Sequence, residues 1–286
     1  MNGILVVNKY LGYTSRDVVN IVSKSLNTKK IGHTGTLDPM ASGVLVLCVG
    51  SALKLCEMLT NHDKEYIAGI TLGIETDTLD MEGTVLSTEI VDISKERIIE
   101  VVNSFKGSYM QEVPKYSAVK VNGKKLYEYA RNNIDVKLPS KMVEIYSINI
   151  IDDIEYKEGK VFFKIKTKVS KGTYIRSLVR DIGNKLGVPA VMNSLVRNTL
   201  GQFNIKDSYT IDDIKNGNYK LISILESLPN MKRVIVDDDM AFKIRNGVML
   251  EPFFEGDRAF IIDKNNNLIA IYENKDEKAR VYKMFV

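Results

Sequence analysis

Gly32-His33-Thr34-Gly35-Thr36-Leu37-Asp38-Pro39 brings the first of two histidines, two glycines and a carboxylate into one short stretch. Pro39 biases Asp38 away from helical geometry toward an extended conformation. Gly32 and Gly35 let the backbone bend sharply and leave room for a ligand. On either side, Ile31 and the run Val44-Leu45-Val46-Leu47-Cys48-Val49 are apolar enough to be buried strands. A carboxylate held between two core segments is placed for chemistry, as a nucleophile or a general base. The plainer alternative is a turn residue before proline.

The other reactive patterns lead nowhere. No GxGxxG follows a strand, and there is no Walker-type loop. Ser117-Ala118-Val119-Lys120 fits SxxK, but its companion elements are missing and Lys171-Gly172-Thr173 is in the wrong order for KTG. No GxSxG elbow exists for a serine hydrolase. Cys48 and Cys56 are too few for a disulfide framework and sit in core-like surroundings. Together with His33 and His62 they match no zinc-ligand spacing, so no metal is expected.

The elements that must position Asp38 follow from periodicity. Residues 4–7 form a short apolar strand, and Ser15 is placed to cap a helix with Val18, Val19, Val22 and Leu26 at helical spacing. Residues 51–59 read as a helix, 65–72 as a strand, and 93–105 as an amphipathic helix. Residues 163–169 alternate, with three lysines on the polar face, as in an antiparallel strand. Gly172-Thr173-Tyr174 opens a helix with Ile175, Leu178, Ile182 and Leu186 on its buried stripe and Arg176 and Arg180 on another face. Gly187 and Pro189 end it.

The 286 residues, 44% hydrophobic and 27% charged, suit one large domain or a large and a small one. Residues 226–232, with Pro229, are the best linker. Short strands at 234–236, 259–262 and 268–272 follow, with an Asn265-Asn266-Asn267 turn. Net charge is +4. Residues 115–141 carry Lys115, Lys120, Lys124, Lys125, Arg131, Lys137 and Lys141 against Glu128 and Asp135, an excess of five that exceeds the whole chain's. The segment is either a solvated loop or a phosphate-binding arm. The N-terminus lacks the features of a signal peptide and no apolar run reaches membrane-spanning length, so a cytoplasmic location without membrane association is expected.

The loop at 32–39, continued by Met40-Ala41-Ser42-Gly43-Val44-Leu45, resembles the catalytic motif of the TruB family of tRNA pseudouridine-55 synthases. Further blocks in the family's order extend the resemblance over nearly all of residues 1–203. They are residues 3–9 with Gly12-Tyr13-Thr14-Ser15, Lys64-Glu65-Tyr66 with residues 76–83, residues 113–131, residues 170–178, and Leu195, Arg197, Gly201 and Phe203. Two positions depart from the pattern. Tyr10 stands where proline usually follows the lysine, and Asn132 where a glycine is common nearby; neither touches a residue expected to do chemistry.

The resemblance implies an α/β (α+β) pseudouridine synthase core over residues 1–228, with a mostly antiparallel mixed sheet and a central cleft. It also implies a mobile thumb at 115–141 and a small β-rich PUA-like RNA-binding domain at 233–286. The implied reaction isomerises uridine to pseudouridine in the T-arm loop of tRNA and needs no cofactor. Asp38 is the implied catalyst, by attack on sugar or base or by proton removal from the sugar. Arg176 would fix its orientation and favour its ionised form. Tyr66 would stack on the uracil and Tyr174 line the same pocket. His33 would fill the stack that the flipped base vacates. Lys9 and Leu195 would support the pocket, and Lys120 would contact RNA from the basic segment. The expected protein is a monomer that acts on tRNA without an obligatory protein partner. An RNA-folding module with secondary catalysis, or a guide-dependent synthase subunit, are the alternatives.

Overall fold

The computed structural model describes residues 1–285. The chain opens with β1 (Gly3–Lys9), α1 (Ser15–Ser25), the short β2 (Ile31–His33) and β3 (Ala41–Val49). A 3-10 turn at Gly50–Leu55 and α2 (Cys56–Thr60) lead into β4 (Lys64–Leu72). An excursion through β5 (Ile74–Thr76), β6 (Val85–Thr88) and α3 (Lys95–Asn103) returns as β7 (Gly107–Glu112). The basic segment holds a minimal hairpin, β8 (Lys120–Val121) and β9 (Lys124–Lys125), then α4 (Leu126–Arg131). Next come β10 (Ser140–Ile150), β11 (Glu155–Lys157), β12 (Lys160–Val169), α5 (Ile175–Leu186), β13 (Ala190–Leu200), β14 (Phe203–Asn204) and α6 (Ile211–Lys215). The last stretch forms β15 (Lys232–Ile235), α7 (Asp238–Arg245), β16 (Arg258–Ile262), β17 (Leu268–Lys275) and β18 (Lys278–Met284).

One ten-stranded sheet runs β1-β3-β13-β4-β12-β10-β7, with β2 pairing β3, β14 pairing β13 and β11 pairing β12 off this path. Every pairing in it is antiparallel except β3 with β13. The fold is therefore the mixed, mostly antiparallel α/β arrangement that the family resemblance implied. The unbroken apolar runs of β1 and β3 are explained by burial on both faces. Leu5, Val7, Leu45 and Leu47 pack with Val18 and Val22 of α1, Leu178 and Ile182 of α5 and Ile211 and Ile214 of α6. Ile4, Val6, Val44 and Val46 pack on the other side with Leu55, Leu59, Phe260 and Ile271. The second four-stranded sheet, β15-β16-β17-β18, is thus welded to the first by shared core, while α7 and Phe254 close its far side. Among the described residues no helix is long and apolar enough to cross a membrane.

Several local expectations need correction. Thr14, not Ser15, caps α1, in a reciprocal box with Asp17. Ser15 is instead buried and reaches the Asp38 loop. The 226–232 segment is not a free linker, since Ser227 and Leu228 are buried. The 237–239 acids begin a helix unseen in the sequence: Asp237 caps α7, with Asp238 and Asp239 in its first turn, where the helix dipole favours negative charge.

Candidate active site

One rung of the large sheet carries much of the site. Lys9 of β1 pairs with Gly43 of β3, Gly43 with Arg197 of β13, Arg197 with Tyr66 of β4, and Tyr66 with Thr167 of β12. β13 bulges between Arg197 and Thr199, beside Tyr66; such bulges commonly re-aim side chains next to active sites. Gly43 has φ +100°, and a Cβ there would collide with the Arg197 carbonyl oxygen. Only glycine lets β3 approach β13 this closely.

The Asp38 loop rises from this rung and is held by its cations. Lys9 is fully buried, and its Nζ donates to the carbonyls of Tyr13 (2.6 Å), Tyr10 (3.1 Å) and Pro39 (3.4 Å). Arg197, also buried, donates to the carbonyls of Val44 (2.7 Å), Gly35 (3.2 Å) and Thr36 (3.4 Å). Ser15 brackets Leu37, accepting from its N–H at 2.9 Å and donating to its carbonyl at 3.2 Å. Leu37 is itself a core residue. Asp38 is therefore fixed from both sides, while its own side chain remains 40% exposed to the cleft.

Arg176, in the first turn of α5, is buried and lies 3.1 Å from Asp38 through Nη2 and Oδ2. The same guanidinium meets Asp80 Oδ2 at 3.3 Å and donates to the carbonyls of Thr78 and Tyr116, each at 3.0 Å. Asp80 is buried too, and accepts from Thr78 Oγ1 at 2.6 Å. Three hydrogen-bond acceptors and the Asp38 ion pair, from three parts of the chain, fix the plane of Arg176, as a rigid fork allows. Asp38 Oδ1 has no hydrogen-bond partner among the described residues.

These groups open into a cleft of about 890 Å3 lined by Asp38, Tyr66, Tyr174, Arg176 and Leu195, with Tyr116, Ser117 and Tyr127 from the basic segment also in the lining. Tyr174 caps α5, and the buried Gln111 clamps its backbone by accepting from its N–H (2.8 Å) and donating to its carbonyl (3.1 Å). Burial pushes the Tyr174 phenol up, so it is un-ionised at neutral pH. Lys141 lies 4.6 Å from its ring centre. Lys64 also faces the cleft; burial brings its ammonium down to about 8, and it donates to the carbonyls of Thr60 and His62.

Five of the eight candidate residues, Asp38, Arg176, Tyr66, Tyr174 and Leu195, are thus brought to one cavity. Lys9 lies under it and supports the loop rather than lining it. His33 ends β2 outside the lining, half-buried; Nδ1 has no hydrogen-bond partner among the described residues, and burial holds its pKa below the ordinary value. Lys120 is exposed on the β8–β9 hairpin, also off the cleft. From sequence alone Arg197, Asp80 and Gln111 have no site role; Ser15 reads only as a helix cap and Lys141 only as part of the basic segment. Arg197 and Asp80 fall in family-like blocks, but nothing in a sequence separates a buried cation from a solvated one. Among the described residues no group of three or more His, Cys, Asp or Glu side chains is placed to hold a metal.

Comparison with known proteins places the chain in a family. Residues 23–175 match the model of the TruB family pseudouridylate synthase N-terminal domain, and residues 176–242 that of the tRNA pseudouridylate synthase B C-terminal domain. The tRNA pseudouridine synthase B of Bacillus subtilis (strain 168) is 42% identical, with 95% of this chain and 93% of that one covered. The protein of that name from Staphylococcus saprophyticus is also 42% identical, covering 97% and 96%. Among solved structures, a chain of an H/ACA RNP bound to a substrate RNA containing 2′-deoxyuridine superposes with a TM-score of 0.70 at 23% identity, covering 99% of this chain and 85% of that one. A chain of a Cbf5-Nop10-Gar1 complex gives 0.68 at 24% identity, covering 99% and 83%. At those identities the structures speak for the fold alone, but the family models and the full-length relatives decide the matter: the chain belongs to the TruB family of pseudouridylate synthases.

Proposed function

We propose that this chain isomerises a uridine of tRNA to pseudouridine, at position 55 in the loop of the T arm. The observation that carries the reading is Asp38, aimed into the cleft by Arg176 with one carboxylate oxygen unengaged, in a chain with full-length relatives that bear that name. In the reaction the N1–C1′ bond breaks and a C5–C1′ bond forms, while C5 loses a proton and N1 gains one. No electron is exchanged with a cofactor.

The residues divide the work. Asp38 Oδ1 attacks the nucleoside or removes a proton from its sugar. Arg176 binds the other oxygen and restrains rotation of the carboxylate. Tyr66 stacks on the uracil, and Tyr174 and Leu195 close the pocket, gripping a base without reading its hydrogen-bonding edge. A paired or stacked uridine cannot reach Asp38, so it is everted first. His33, uncharged at neutral pH and outside the cleft, is suited to fill the gap left in the base stack. The segment at 115–141 covers the cleft with Tyr116 and Ser117 and offers Lys120 to phosphates. The sheet at 232–284 extends the RNA-binding surface as a PUA-like unit. The chain works as a monomer without a protein partner, in the cytoplasm.

Incubation of the purified chain with unmodified tRNA transcript, followed by mapping of pseudouridine, tests this. Asp38→Asn should lower the rate by about a thousandfold or more while tRNA still binds. Bound tRNA without product from the unaltered chain, or an undiminished Asp38→Asn rate, would overturn it. Product from bare tRNA separates a stand-alone enzyme from a guide-dependent subunit.

A further inference from the structure

A second cavity, of about 480 Å3, lies outside the catalytic cleft at the seam between the two sheets. That size suits a small-molecule or nucleotide site. Phe203, Leu228 and Pro229 form an apolar wall; His62, Lys168 and Arg258 form a polar rim. The two cavities share a partition. Thr60 and Asn61 line the cleft, His62 and Asp63 the second cavity, and Lys64 the cleft again. A strand of RNA leaving the cleft over this partition meets the second cavity next.

One charge at the rim, that of Lys168, is not spent internally among the described residues. β12 presents three lysines on its polar face. Lys164 is neutralised by Asp152 at 2.7 Å and Lys166 by Glu65 at 3.2 Å. Lys168, at the cavity, has no carboxylate within 4.0 Å among the described residues; its Nζ lies 5.9 Å from the Tyr146 ring centre. Arg258 is held flat, its guanidinium 3.6 Å from the centre of the Tyr282 ring and paired with Glu273 at 3.1 Å. A fixed guanidinium plane beside apolar side chains is a surface on which a base stacks. His62 is uncharged at neutral pH because burial lowers its pKa, which leaves its ring one donor and one acceptor for a base edge.

We propose that this cavity is a nucleotide subsite separate from the catalytic cleft, which takes one unpaired nucleotide of the RNA, base against Phe203, Leu228 and Pro229 and phosphate on Lys168. The proposal rests on the reading that the chain binds tRNA. The same chemistry would also suit a free nucleoside monophosphate, so the test carries an arm for each source.

Asn230 lines the cavity and is exposed, so Asn230→Trp fills the space with little strain on the fold. Lys168→Glu reverses the proposed phosphate contact. Lys157→Glu makes the same charge change on the distant β11 hairpin and serves as control. Kd and KM for unmodified tRNA are measured for all three, with melting curves to confirm folding. UMP and AMP are titrated separately while the Met231 methyl signal is followed. Asn230→Trp and Lys168→Glu should each raise Kd and KM by about fivefold or more, with the loss in KM rather than kcat, while Lys157→Glu stays within about twofold. Unchanged tRNA affinity in both cavity variants would overturn the proposal. If UMP or AMP then saturably shifts Met231, the cavity is a mononucleotide site instead; if neither does, it is no subsite. Failure of the unaltered chain to form pseudouridine would condemn the catalytic reading and is scored independently of these affinities.

Discussion

Arg176 is shared by two carboxylates of different character: Asp38 faces the cleft and Asp80 is buried. Removing the cation strands a buried charge, which typically costs about 3–5 kcal/mol. Arg176→Met should therefore lower unfolding stability by about 3 kcal/mol and abolish activity. Adding Asp80→Asn should recover about 1 kcal/mol or more of stability, because the stranded charge is gone, without recovering activity. Urea titrations of the single and double variants check this, and an unimproved double variant would refute the assignment. Lys64 gives a pH prediction. Its folded pKa is about 8 and its ordinary value is 10.5. Between these values the unfolded chain holds the extra proton, so the contribution of Lys64 to stability rises with pH across that window and is least favourable below it. The urea midpoint of the unaltered chain should climb from pH 7.5 to 9.5 relative to that of Lys64→Met. Parallel pH profiles would contradict the inferred burial.

At the scale of elements, the site depends on how closely three strands approach. Gly43→Ala places a methyl group against the backbone of β13 at a φ that disfavours any side chain. The expected cost is about 3 kcal/mol, with a fall in kcat because Arg197 and Tyr66 shift with β13. Gly187, the left-handed cap of α5, has φ +78° but open space around it. Gly187→Ala should cost only about 1 kcal/mol and spare kcat. Denaturation midpoints and kcat of the two variants check the contrast; equal costs would show that the close approach at Gly43 is unimportant. Much of this layer was legible in advance. The alternation of 163–169 became β12, and the stripe of α5 was read with its glycine stop. Thr14 was passed over for Ser15 because both are capping types; only the fold shows that Ser15 is needed at Leu37.

For the whole molecule, the seam between the sheets matters most. Phe260 and Ile271 complete the core that covers Ile4, Val6, Val44 and Val46. A chain cut after residue 230 should expose that face, melt at lower temperature and aggregate, rather than lose RNA affinity alone. Size-exclusion chromatography and thermal melts decide; a soluble fragment with unchanged melting would show the second sheet to be dispensable. Binding of tRNA should weaken with salt, with a log–log slope of about 3 or more if at least four phosphates are contacted. A salt-insensitive Kd would deny the basic segment and Lys168 any phosphate role. The β-rich character of the last stretch was legible from three apolar runs, but β18 and α7 were not, because neither carries a clean periodic pattern.

By itself the sequence determined the family, because motif blocks in a fixed order carry it; the mixed sheet and the candidate residues followed as what that family implies, while local periodicity marked single strands and helices. It could not tell which charges are buried. Lys9, Arg197 and Asp80 look like any surface charge until β1, β3 and β13 come into register and carbonyls close around them. It also could not join 62–63, 168, 227–231 and 258 into one cavity. Contacts between residues so far apart in the chain leave no periodic trace; they exist only once the strands have paired and the two sheets have packed.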